Sequence, residues 1–105
     1  HLLTSDKRIS ASLLLAEKDK PDLAISTLSK GNNYFHKAIG NASEAKRMGK
    51  NVDTVLHNMK KSIKKHQEVL EMVKSKVGEK FSSQLQIETK RMAEFENSVN
   101  QLSPQ

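Results

Sequence analysis

The chain contains no cysteine and no tryptophan, and only one tyrosine and three phenylalanines. Without thiols there is no disulfide framework, no zinc ribbon and no thiol nucleophile. So few aromatics, beside 35% apolar and 29% charged residues, suit long solvated helices with narrow apolar seams better than a β-sandwich. Proline and glycine are scarce, two and four in 105 residues, so each glycine should either end a helix or pack against one. The longest uninterrupted apolar run is Leu13–Ala16, far below the ~20 residues of a membrane span, and no signal-peptide pattern is visible. The chain opens at His1 without an initiator Met, so we expect a piece of a longer protein, with a truncated first helix and any membrane anchor upstream.

What the chain does have is heptad spacing. Val52, Leu56, Met59, Ile63, His66, Leu70, Val73 and Val77 recur at alternating steps of four and three, an apolar stripe down one long helix with His66 as its only polar member. A second seam, Ala24, Leu28, Gly31, Phe35, Ala38, Ala42 and Ala45, is dominated by small residues. Such a helix admits a neighbour at the short end of the ~8–10 Å interaxial range. Phe81, Leu85, Glu88, Met92, Phe95, Val99 and Leu102 repeat the pattern with Glu88 as the polar member. A shorter stripe, Ile9, Leu13 and Ala16, precedes them, with Thr4, Ser5 and Asp6 as candidate caps.

Punctuation falls between the seams. Pro21-Asp22 suits a helix start. Gly49 and Gly78 each follow basic residues, Lys46 with Arg47 and Lys74 with Lys76, as expected at helix C-termini, and Asn51 is placed to cap the next helix. These signals predict helices at about 4–19, 22–48, 51–77 and 79–101 within one domain, 1–105. A chain of this length buries roughly 65% of its surface on folding. Short connections predict an all-α, antiparallel up-down-up-down bundle of four helices. The alternative is that Gly78 does not break the chain, leaving one helix of about 50 residues, roughly 75 Å long, that must dimerise to bury its far seam. The loss of four-three alternation near Gly78 favours the hairpin.

The two polar seam residues are the candidates for chemistry. If the second and third helices fold back on each other, His66 stands beside Phe35 and Leu70 beside Gly31. Folding back at Gly78 sets His66 beside Met92 and Leu70 beside Glu88. His66 and Glu88 are thus expected on inward positions about one turn apart, as a buried polar pair that fixes register. A bundle metal site uses several carboxylates with Glu-x-x-His spacing, and the chain has no such spacing. We expect no catalytic, metal or cofactor-binding residues.

The formal charge is +6, with +3 on residues 22–50, +3 on 51–78, +1 on 1–21 and −1 on 79–105. Only three of the eighteen basic residues are arginine, the side chain best suited to bidentate phosphate recognition, which argues against nucleic acid as a partner. Lys60, Lys61, Lys64 and Lys65 form a strip one turn long beside the His66 seam. It reads first as a solvated face and, alternatively, as a contact for an anionic ligand such as nucleic acid, a cell-wall polymer or lipid headgroups. Asn41-Ala42-Ser43 fits a glycosylation acceptor but falls mid-helix.

Three stretches carry a resemblance: Ala16-Glu17-Lys18 closing the first helix, Ala24, Leu28, Tyr34 and Ala38 on the second, and Lys65-His66-Gln67-Glu68-Val69-Leu70-Glu71 on the third. Over roughly residues 7–80 the chain resembles an uncharacterised helical domain of bacterial envelope proteins, which usually follows a membrane anchor or an anti-sigma-like segment. The resemblance implies a helical bundle outside the cytoplasm and no particular chemistry. Tyr34 and Ala38 also suggest tetratricopeptide-like hairpins, but no repeat near 34 residues is visible. The expected function is a non-enzymatic interaction or spacer domain with a protein partner, monomeric or weakly homodimeric.

Overall fold

A computed structural model describes residues 1–103, and all regular structure in them is helical: α1 (Leu2–Glu17), α2 (Pro21–Arg47), α3 (Asp53–Val77), a 3-10 turn (Glu79–Phe81) and α4 (Ser82–Leu102). They pack as an all-α bundle of four helices, 46 × 20 × 17 Å. The continuous rod is excluded. Gly78 takes φ 82° and ψ 176°, open only to glycine, and the 3-10 turn behind it reverses the chain.

The other turns follow from local chemistry. At the end of α2, Gly49 sits at φ 82° while its N–H bonds to the Lys46 carbonyl and that of Lys50 bonds to the Ala45 carbonyl. The end of α1 closes in the same way, with Asp19 at φ 58° in the left-handed position and Lys20 N–H on the Leu15 carbonyl. Pro21 then opens α2 at its first turn, where its missing N–H costs nothing. Asn51 Oδ1 accepts from Asp53 N–H at 2.9 Å just ahead of α3, but the N-cap position is Val52, without a side-chain cap, and not the expected Asn51. The caps expected for α1 are corrected too. Thr4, Ser5 and Asp6 lie inside α1, which begins at Leu2, and Ser5 N–H bonds to the His1 carbonyl.

Contacts between the helices give their directions. Gly31 of α2 faces Ile9 of α1, whereas Ala38 shares a groove with Leu2, so α1 and α2 are antiparallel. Asn32 reaches Glu88 and Lys46 reaches the Leu102 carbonyl, so α2 and α4 run the same way. Round the bundle the order is α1, α2, α4, α3. Helices α2 and α3 stand on a diagonal and meet little. The small lane of α2 therefore receives α1, and Leu70 is not the neighbour of Gly31. Across the diagonal Phe35 does meet His66, ring centroids 5.7 Å apart and edge to face.

The core divides into two apolar clusters. Ile9, Leu28, Leu70, Val73 and Leu85 belong to the one nearer the α1–α2 turn, and Phe35, Leu56, Met59, Phe95 and Val99 to the one nearer the α2–α3 turn. Between them lie the buried polar residues Ser5, Asn32, His66 and Glu88, one from each helix.

Candidate functional site

This polar layer is the first candidate site. His66 occupies its seam position on α3 and is 3% exposed, and its Nε2 donates to Asp6 Oδ1 of α1 at 2.7 Å. Burial pushes the imidazole below its ordinary pKa, and the hydrogen bond and charge of Asp6 oppose this without cancelling it. Glu88 on α4 is 6% exposed, and its Oε1 accepts from Asn32 Nδ2 at 2.9 Å and from Arg91 Nη1 at 3.1 Å. Arg91 also donates through Nη2 to Asn33 Oδ1 at 2.6 Å and lies over the Phe95 ring. Ser5 Oγ and Asn32 Oδ1 are buried with no hydrogen-bond partner among the described residues.

The expected His66–Glu88 pair is therefore corrected. Both residues point inward, but each is taken by the helix that runs parallel to its own: His66 by α1 and Glu88 by α2. Because α1 and α4 occupy opposite corners, the two polar contacts fall on opposite sides of the bundle axis. Asp6 and Asn32 were missed by the seam reading: Asp6 reads as a candidate cap ahead of the Ile9 stripe, and Asn32 sits one position beyond the seam residue Gly31. The signal available was two polar residues at matching depth on neighbouring helices.

The remaining histidines stand apart. His1 lies by Tyr34, His36 by Phe95, and His57 in the α3–α4 groove. Among the described residues no three or more His, Asp or Glu side chains converge as a metal site.

The lysine strip is the second candidate. Lys60, Lys61, Lys64 and Lys65 are all exposed, and none lies in an ion pair among the described residues. They form the outer crest of α3 between two grooves. Lys60, Lys61 and Lys64 line the one shared with α4, beside His57 and Glu96, while Lys61 and Lys65 line the one shared with α1, beside Asp6 and His66. The strip is contiguous, and its flank carries the carboxylate of Glu96.

The chain matches no protein-family model, no curated protein and no solved structure.

Proposed function

We propose that the chain is a non-enzymatic helical interaction domain whose partner is another protein. The observation that supports this is the fate of the two ionisable side chains that the described fold buries. His66 is engaged by Asp6, and Glu88 by Asn32 and Arg91. General acid or base catalysis needs such a group aimed at a substrate atom. Here the groups join helices pairwise, α1 to α3 and α2 to α4, which fixes register. The surface is what remains to meet other molecules. Toward the end that holds the α1–α2 and α3–α4 turns, Leu14, Leu23 and Met72 are 59%, 55% and 47% exposed.

The extracytoplasmic setting rests on the resemblance alone. No helix of the described residues is long and apolar enough to cross a membrane, so an anchor would be supplied by another segment. The test is site-specific photocrosslinking from Leu14 and Leu23 in living cells. A discrete protein adduct, lost when Met72 is replaced by Lys, is expected. Turnover of a substrate by the purified chain, abolished by His66→Gln, would sink the reading.

A second reading is favoured by the contiguous, unpaired lysine crest: a contact for an anionic polymer or lipid headgroups. It requires binding to anionic vesicles or a polyanion that weakens steeply with salt and is lost in a Lys60→Ala, Lys61→Ala, Lys64→Ala, Lys65→Ala variant.

A further inference from the structure

The three arginines are not placed alike. Arg47 is paired with Glu44 and Arg91 with Glu88, whereas Arg8 of α1 is in no ion pair among the described residues. Its Nε is buried with no hydrogen-bond partner among them. What Arg8 meets is the ring of Tyr34 on α2. The guanidinium carbon lies 5.6 Å from the ring centroid, and Lys37 Nζ lies 5.3 Å from the same centroid. The ring of His1 stands 6.2 Å away. Cation–π attraction draws both cations to the ring, but an aromatic face carries no formal charge to neutralise them.

The neighbourhood does not neutralise them either. Helix α1 has no Asp or Glu between Asp6 and Glu17, and α2 has none between Asp22 and Glu44, while Lys30 stands about one turn before Tyr34. Asp6, the acid nearest to Arg8 in sequence, is taken by His66 of α3. Two unpaired cations are thus gathered on one ring in a field of one sign. The lysine crest of α3 differs on both counts, since it holds no arginine and its flank carries Glu96.

We propose that Arg8, Tyr34 and Lys37 form a binding site for a phosphate group, free or carried as a monoester. The donor set selects this ligand. Arg8 offers a planar N–H fork, Tyr34 a hydroxyl and Lys37 an ammonium on a mobile, exposed stem. A carboxylate has two oxygens in one plane, and the fork alone would use both. A nucleic-acid diester likewise has two free oxygens and a single charge. A phosphate monoester has three terminal oxygens and close to two charges at neutral pH, enough to engage all three side chains. Contact with the ring also restrains the guanidinium before a ligand arrives, so less side-chain freedom is lost on binding. The site requires neither the protein partner nor the lysine crest.

The chain has one tyrosine and no tryptophan, so tyrosine emission reports on Tyr34 alone. The test titrates the chain with inorganic phosphate and with glycerol phosphate, sodium chloride holding the ionic strength constant. A saturable change in emission is expected, and the probe that saturates at the lower concentration names the source, free or esterified. Arg8→Gln should weaken binding about tenfold or more, and Lys37→Gln about threefold. Lys60→Gln with Lys64→Gln, which removes more charge from the crest, should leave the affinity within about twofold. If Arg8→Gln melts too low to titrate, the exposed Lys37 and the crest variant still decide between this site and general charge. A linear loss of emission, the mark of collisional quenching, would overturn the proposal. So would unchanged binding in Arg8→Gln, or a crest variant weakened as much as Lys37→Gln.

Discussion

The Cδ1 of Ile9 stands 2.7 Å from the point a Cβ on Gly31 would occupy, and the Ile9 backbone nitrogen stands 3.3 Å from it. Helix α1 rides this close to α2 because position 31 has no side chain. Replacing Gly31 by Ala improves helix propensity by about 1 kcal/mol but overpacks the contact, which typically costs about 1–3 kcal/mol. Crowding should win, with a net loss of about 1 kcal/mol for Gly31→Ala and a larger one for Gly31→Leu. Gly40, on the same helix, has nothing within 4 Å of its Cβ position, so Gly40→Ala should instead gain up to about 1 kcal/mol. Urea unfolding of the two variants should shift the midpoint in opposite directions. Ile9→Val removes the atom that crowds, so it should cost less in the Gly31→Ala background than alone, a coupling measurable by a double-mutant cycle.

Asp19 holds the left-handed position after α1, at φ 58°, a role that Gly49 fills after α2 at φ 82°. An L side chain in this region carries strain that glycine avoids, and aspartate tolerates it better than most. Asp19→Gly should therefore stabilise the bundle by roughly 0.5 kcal/mol, the lost strain outweighing the added freedom of the unfolded chain. Gly49→Ala should destabilise by about 1 kcal/mol for the converse reason. Thermal melts of the two single variants check both signs.

The seams were legible because heptad spacing reports which side of a helix faces inward. Val52 to Val73, Ala24 to Ala42 and Phe81 to Val99 are buried where the spacing places them, and His66 and Glu88 are inward as well. The meeting of Phe35 with His66 also followed, since a fold-back at Gly49 fixes that register whether the two helices are adjacent or diagonal. The order of helices round the axis was not legible. Spacing says that Gly31 needs a bulky residue opposite and does not say whether Leu70 or Ile9 supplies it. That choice decided everything in the polar layer, because it brought α1 against α3 and gave His66 a partner, Asp6, outside any seam.

Glu88 shows what the layer costs. Its carboxylate is 7% exposed and held by Asn32 and by Arg91, which is itself 26% exposed. Removing either Asn32 or Arg91 leaves the buried Glu88 carboxylate one hydrogen bond short, so Asn32→Ala and Arg91→Ala should each destabilise by about 1–3 kcal/mol. Replacing Asn32 and Glu88 together by Leu removes the need for partners and should cost much less than the two single changes summed. If the layer specifies register, that double variant should keep its helicity and melt less cooperatively. An unchanged, sharp transition in calorimetry would show that the apolar seams set register unaided.

Acid should destabilise the bundle through the buried His66. Burial lowers the His66 pKa from its ordinary 6.5, so the unfolded chain takes up the proton more readily than the folded one. Stability from this residue is then complete above about pH 6.5 and declines as pH falls from there through the folded value. Asp6 opposes the shift by hydrogen bond and charge. Its removal in Asp6→Asn lowers the folded value further, extends the sensitive range to more acid pH and deepens the loss. His66→Gln, which cannot titrate, should flatten the dependence. Unfolding free energies in urea from pH 8 to pH 5 distinguish the three proteins. A wild-type curve as flat as that of His66→Gln across this range would show that His66 does not couple folding to protons.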